Sequence, residues 1–140
     1  MTDKRALIID DDHANRSIWE LVLNENGYGV ESADTISSGM GYIGTDVSLY
    51  LVDYHLPDGS GTDVVSYIRS NFPSSMVVVV SVDDDVEVIR ECIRAGSNVF
   101  MVKPTSPAVM GQVLAEIEAG DLDSNAKQLI NRNGRRTYSD

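Results

Sequence analysis

The sequence predicts an α/β domain, a doubly wound (βα)5 three-layer sandwich built on a parallel five-stranded sheet. Three observations carry this expectation. Five short apolar runs rich in β-branched residues, at 6–9, 28–33, 47–52, 76–80 and 98–102, alternate with helix-like stretches. Three of them, ALII, SLYLV and MVVVV, are continuously apolar, as strands are when helices cover both faces of their sheet. With 140 residues, 42% of them hydrophobic, the chain can bury one such core and not two.

The stretches between the runs read as helices in turn. Residues 13–26 place Ile18, Leu21 and Val22 at helical spacing and stop at Gly27, a natural C-terminal cap. The weakest helix covers 35–44, where Gly39, Gly41 and Gly44 lower the propensity. Over 62–70, Val64, Val65 and Ile68 share a face, and the pattern ends before Pro73. Residues 84–95 begin with acids suited to a helix N-terminus, carry Val88, Ile89, Cys92 and Ile93, and close at Gly96. The last helix, 106–119, opens with Ser106 as cap and Pro107 at the first helical position. Five βα units in residues 1–120 suit right-handed crossovers in an open sheet. Residues 121–140, rich in Asp, Ser, Asn, Gly and Arg, are predicted to be a polar linker or flexible tail, with 126–131 able to form a short helix.

Charge narrows the function classes. Lys plus Arg number 11 against 22 Asp plus Glu, a net charge of -11. Residues 1–120 hold 7 basic and 19 acidic side chains, and residues 121–140 hold 4 and 3. A body this acidic argues against nucleic-acid binding and against anionic membranes. No apolar run approaches the roughly 20 residues of a membrane span, and MTDKRALIIDDD turns acidic before a signal-peptide core can form, so a cytoplasmic protein is expected. The single cysteine, Cys92, excludes an internal disulfide and reads as a buried structural thiol.

In a sheet of this kind ligands bind outside the carboxyl ends of the strands. The polar residues that follow the apolar runs are Asp10, Asp11 and Asp12, then Asp53, Ser81, and Lys103 with Pro104. Carboxylates held close repel one another, and a divalent cation keeps them ionised together. An all-oxygen set with few protein ligands suits Mg2+, whereas zinc is disfavoured because His13 and His55 are the only histidines. Lys103 as a point charge and Ser81 as a donor then suit a phosphoryl oxygen. An acidic run alone is usually a solvated loop, and it is the agreement among four strand ends that lifts this one. Competing phosphate chemistries fail on the same residues. Three aspartates after the first strand exclude a cradle for an anionic dinucleotide. Position 55 is His where a haloacid-dehalogenase-type phosphatase needs a second aspartate, and no GxxxxGK[ST] occurs.

These residues resemble the receiver domain of two-component response regulators. The resemblance rests on ALIIDDD at 6–12, LYLVDYHLPDGSG at 49–61, VVVVS at 77–81, FMVKP at 100–104 and the Ala95-Gly96 pair, and it covers roughly residues 4–119 in order. It implies a flavodoxin-like strand order of 2-1-3-4-5. Asp53 is implied to be the phospho-acceptor, served by a sensor histidine kinase or a histidine phosphotransfer protein. Asp10 and Asp11 are implied to hold Mg2+ together with Asp53 and the backbone carbonyl of His55, Asp11 directly and Asp10 through water. Lys103 would pair with the phosphoryl oxygens, and Ser81 would bond one of them and draw in the loop after strand four. Asp12 receives no role.

Several positions depart from the common pattern. Phe100 stands at the switch aromatic, and a switching role and an ordinary core role are both open. Val82 occupies a site where the family usually has a small residue, and its bulk is expected to crowd the phosphoryl site. His55 and Asp83 sit where family members tune hydrolysis of the acyl phosphate. Thr105 replaces a large residue on the usual dimer face, so a homodimer is left open. Two readings stand: a phosphorylation-dependent switch acting on a downstream protein partner or a missing output domain, and a receiver-like interaction module controlled without phosphorylation. The intact set Asp10, Asp11, Asp53, Ser81 and Lys103 favours the first.

Overall fold

A computed structural model describes residues 4–138, so the last two residues of the predicted tail lie outside the described residues. The five expected strands form as β1 (Arg5–Ile9), β2 (Gly29–Ala33), β3 (Leu49–Asp53), β4 (Met76–Ser81) and β5 (Val99–Val102). They are parallel in the order β2-β1-β3-β4-β5, as the family resemblance implies. Helices α1 (His13–Glu25), α2 (Ile36–Met40), α3 (Gly61–Asn71), α4 (Val86–Ala95) and α5 (Pro107–Ala119) connect them. Alternate strand residues serve the two faces. Ala6, Ile8, Leu51, Val78 and Met101 pack with Trp19 and Leu23 of α1 and Met110 and Val113 of α5. Leu7, Ile9, Val52, Val79 and Phe100 pack with Val64 and Ile68 of α3 and Ile89, Cys92 and Ile93 of α4. Each buried Val, Leu, Ile, Phe or Met side chain among them contributes about 1.5–3 kcal/mol. Cys92 is fully buried, and burial foremost pushes its thiol up to about 12, so it is inert packing as expected.

Capping explains where the helices begin. Ser106 accepts from Val109 N–H at 3.2 Å with Pro107 next, as the sequence predicts. The fourth helix starts two residues later than expected. Asp85 accepts from Glu87 N–H at 2.8 Å as its cap, so Asp83 and Asp84 belong to the preceding loop. The glycine that weakens the short α2 is there for a packing reason: a Cβ at Gly39 would overlap the Ile9 side chain.

Residues 121–138 correct the expectation of a polar linker or flexible tail. They place two more strands on the sheet, β6 (Gln128–Ile130) parallel to β5 and β7 (Arg136–Tyr138) antiparallel to β6. The short helix over 126–131 does not form. Ile130 and Leu122 are buried, and Arg136 pairs with Glu116 of α5. At the root of the hairpin, the Asn98 side-chain amide donates to Ser124 O at 2.9 Å and Ala126 O at 3.1 Å. Asn98 Oδ1 in turn accepts from Arg69 Nη2 at 2.7 Å, and Arg69 also donates to the carbonyls of Pro73, Ser75 and Gly96. That network lies at the amino end of the strands, opposite the polar strand ends.

Candidate functional site at the carboxyl edge of the sheet

Because β1 to β5 run the same way, their carboxyl ends bring Asp10, Asp53, Ser81 and Lys103 to one edge. The site falls at β1 and β3, where the chain order reverses. All four side chains belong to residues that are at most 8% exposed, which is unusual for charged groups without partners. Their partners are one another. Lys103 Nζ lies 3.1 Å from Asp10 Oδ2 and 3.2 Å from Asp53 Oδ2. Asp10, Asp11 and Asp53 each offer a carboxylate oxygen within 4.8 Å of the others, a spacing at which one cation could bind all three. Asp11 is the exposed member of the three.

The electrostatics follow from the burial. Burial first, then hydrogen bonding with Asp10 and the Asp10 charge, push the Asp53 carboxyl up to about 7, against the pull of Lys103. Burial pulls the Lys103 ammonium down, yet the charges of Asp10 and Asp53 outweigh it and the net shift is upward. The site therefore holds a permanent cation between two carboxylates and is still short of positive charge.

The remaining predicted residues lie in β5, at the end of β4 and in the loops after β3 and β4. Ser81 is fully buried at the end of β4, and its Oγ accepts from Asp83 N–H at 3.0 Å. Phe100 is fully buried in β5. The His55 backbone N–H donates to Asp53 Oδ1 at 3.2 Å, and its ring Nε2 lies 3.6 Å from Asp83 Oδ2, joining the loops after β3 and β4. Tyr54 packs edge-on against the His55 ring with centroids 4.7 Å apart and donates to Glu91 at 2.7 Å. That bond, foremost, pushes the Tyr54 phenol up to about 12. Val82 is 66% exposed in the loop after Ser81.

Two residues of α1, Asn15 and Arg16, were not singled out from the sequence. Asn15 Nδ2 donates to Asp10 Oδ2 at 2.6 Å, and Arg16 Nη1 donates to the Asp10 carbonyl at 2.7 Å. Asp12, left without a role, caps α1 through Asn15 N–H at 3.2 Å, and its own N–H donates to Asp10 Oδ1 at 2.9 Å. The capping position of Asp12 was the available signal. The reach of Asn15 and Arg16 back to Asp10 depends on the helix being in place.

Behind Asp53 there is no spare room. A Cβ at Gly61, the first residue of α3, would overlap the Asp53 carbonyl oxygen. Gly61→Ala is expected to cost about 1–3 kcal/mol in urea unfolding, because α3 must move off the end of β3. Unchanged stability would mean that the helix start shifts freely.

Comparison with known proteins identifies the family. Residues 6–115 match the response regulator receiver domain, and the chain belongs to that family. It is 34% identical over 101 residues, 72% of its length, to a cyclic di-GMP phosphodiesterase of Thermotoga maritima, of which it spans 27%. To the response regulator protein PilR of Pseudomonas aeruginosa it is 28% identical over 116 residues, covering 82% of this chain and 26% of that protein. The chain thus spans about a quarter of each of these relatives. Among solved structures, a CheY-like response regulator receiver domain protein from Methanospirillum hungatei superposes with a TM-score of 0.74 at 30% identity, covering 84% of this chain and 92% of that one. Among the described residues no helix is long and apolar enough to cross a membrane.

Proposed function

We propose that this chain is the phosphorylation-dependent switch of a two-component phosphorelay, in which Asp53 takes a phosphoryl group from a sensor histidine kinase or a histidine phosphotransfer protein. The observation that carries this reading is the Lys103 ammonium set between the buried carboxylates of Asp10 and Asp53, with Asp11 at the open side. A buried carboxylate with a cation beside it and an acidic pair in front suits the transfer of a dianionic group better than it suits a static core.

The donor set fits Mg2+: three carboxylates, no thiol and no imidazole nitrogen at the centre. Asp10, Asp11, Asp53 and the His55 carbonyl would hold it, and when bound it supplies the positive charge that keeps Asp53 ionised and receives phosphoryl oxygens. The chain's own groups do the rest. An Asp53 oxygen forms the new O–P bond as the N–P bond of the donor breaks, and the imidazole keeps the electron pair and takes a proton. Lys103 stabilises the charge on the moving group, and Ser81 bonds one of the oxygens that arrive. His55, Val82 and Asp83 line the route by which water reaches the acyl phosphate and set its lifetime. Phe100 follows the movement of Ser81. The changed surface acts on a downstream protein partner or an output domain, or through a homodimer, and not on nucleic acid.

Incubation with Mg2+ and acetyl phosphate, followed by intact mass, tests this. One phosphoryl group is expected on the wild type and none on Asp53→Asn. No added mass, under conditions that label a control receiver, would leave the phosphorylation-independent interaction module as the surviving reading.

A further inference from the structure

The hairpin of β6 and β7 lies outside residues 6–115, the span shared with the family, yet it touches the region of the switch at two points. Its tip reaches the loop between β4 and α4, where Arg132 Nη2 lies 3.2 Å from Asp84 Oδ2. Its first strand sets Leu129 opposite Phe100, and Leu129 packs on the cluster that contains Phe100. The root is fixed elsewhere, by the Asn98 amide at Ser124 and Ala126. A segment held at its root, at buried Ile130 and at the Arg136–Glu116 pair, with its first strand and tip resting on β5 and the loop after β4, has the mechanics of a strap.

The loop that meets Arg132 is chained to the switch hydroxyl. Ser81 Oγ accepts from Asp83 N–H at 3.0 Å, and Asp83 Oδ1 accepts from Asp85 N–H at 3.0 Å. When Ser81 turns toward a phosphoryl group on Asp53, residues 82–85 are drawn with it, and Asp84 leaves Arg132, which belongs to a different element. The exposed ion pair alone is weak. The larger share of the coupling comes from Leu129 on Phe100, because the pairing of β6 with β5 is only three residues long and beyond it Ile130 and the Arg136–Glu116 pair hold the hairpin. Loss of either contact favours undocking, and undocking bares the edge of β5 with its unpaired backbone groups.

Resting on the phosphorylation reading above, we propose that the edge of β5 is a strand-binding surface occupied in cis by residues 128–138, and that phosphorylation of Asp53 loosens this strap. The coupling is reciprocal by linkage: whatever factor the phosphoryl group takes from hairpin docking, a weakened hairpin returns to the affinity for the phosphoryl group.

The test uses the full chain with Mg2+, and beryllium fluoride as the phosphoryl mimic. Amide hydrogen exchange of peptides covering 126–138 is expected to quicken at least about 5-fold on adding the mimic, with β1 and β3 unchanged. Leu129→Ala and Arg132→Ala are each expected to bind the mimic more tightly than the wild type, Leu129→Ala by the larger factor. Intact mass after acetyl phosphate separates the two layers. If Asp53 is labelled while exchange over 126–138 is unchanged or slower, or if both variants bind the mimic as the wild type does, the strap is refuted and the phosphorylation reading stands. If Asp53 takes no label and the mimic does not bind, the phosphorylation reading fails and the strap fails with it.

Discussion

Lys103→Met is expected to slow the labelling of Asp53 by acetyl phosphate by about 100- to 1,000-fold, the usual cost of removing one preorganised charge from a transition state. The ammonium is already in position, 3.2 Å from Asp53 Oδ2, so it needs no rearrangement when the phosphoryl group arrives. Methionine keeps most of the stem and its packing and removes only the charge. The same substitution leaves Asp10 and Asp53 facing each other without a cation, and a broken buried pair costs about 3–5 kcal/mol. Part of that cost is avoidable at low pH, because Asp53, with its carboxyl pushed up to about 7, escapes by taking a proton. The loss of stability in urea should therefore be larger at pH 8 than at pH 6. Labelling followed by intact mass, on protein shown by circular dichroism to be folded, separates rate from stability. A rate within 3-fold of the wild type would remove Lys103 from the phosphoryl site and leave it a structural ion pair.

The residues that were legible in the sequence share one property: each marks a change from apolar run to polar side chain. Asp10, Asp53, Ser81 and Lys103 follow strands, and once the strands are parallel their meeting is a matter of topology. What was not legible depends on chain geometry. Asn15 and Arg16 look like ordinary exposed helix residues, and only the start of α1 beside β1 turns them toward Asp10. Three consecutive acids made 83, 84 and 85 equally good helix starts, and the bond from Glu87 N–H decides for Asp85. The composition of residues 121–140, dominated by polar residues, hides a local hairpin signal. Asn133 and Gly134 form the kind of pair that closes a tight hairpin, and Gly134 adopts a φ of 78° between Ile130 and Arg136, the last register pair of the turn. A three-residue strand such as β6 is too short to show periodicity and is held by the edge it joins.

Asp53→Asn is expected to stabilise the protein in EDTA, and to do so more as the pH rises. In the unfolded chain the carboxyl ionises near 3.8, whereas in the fold burial and Asp10 push it up to about 7. A carboxyl raised in this way contributes stability that is fully present below 3.8 and is lost as the pH rises through about 7. The full difference amounts to roughly 4 kcal/mol, and solvent screening at the mouth of the site cuts it to about 1–3 kcal/mol. Asparagine has no proton to lose and keeps nearly the same shape, so its urea midpoint should stay level while that of the wild type falls between pH 5 and pH 8. Magnesium should then act on the two proteins differently. At 100 times its Kd it adds about 2.7 kcal/mol to the wild type. The variant, which lacks one of the three carboxylates, gains less. Parallel pH profiles for the two proteins in EDTA would mean that Asp53 ionises freely in the fold and that the crowding of Asp10 and Asp53 is relieved without a second cation. Divergent profiles that magnesium brings back together would identify Asp53 as the group whose missing charge the cation supplies, which links the acidity of this edge of the sheet to the chemistry proposed for it.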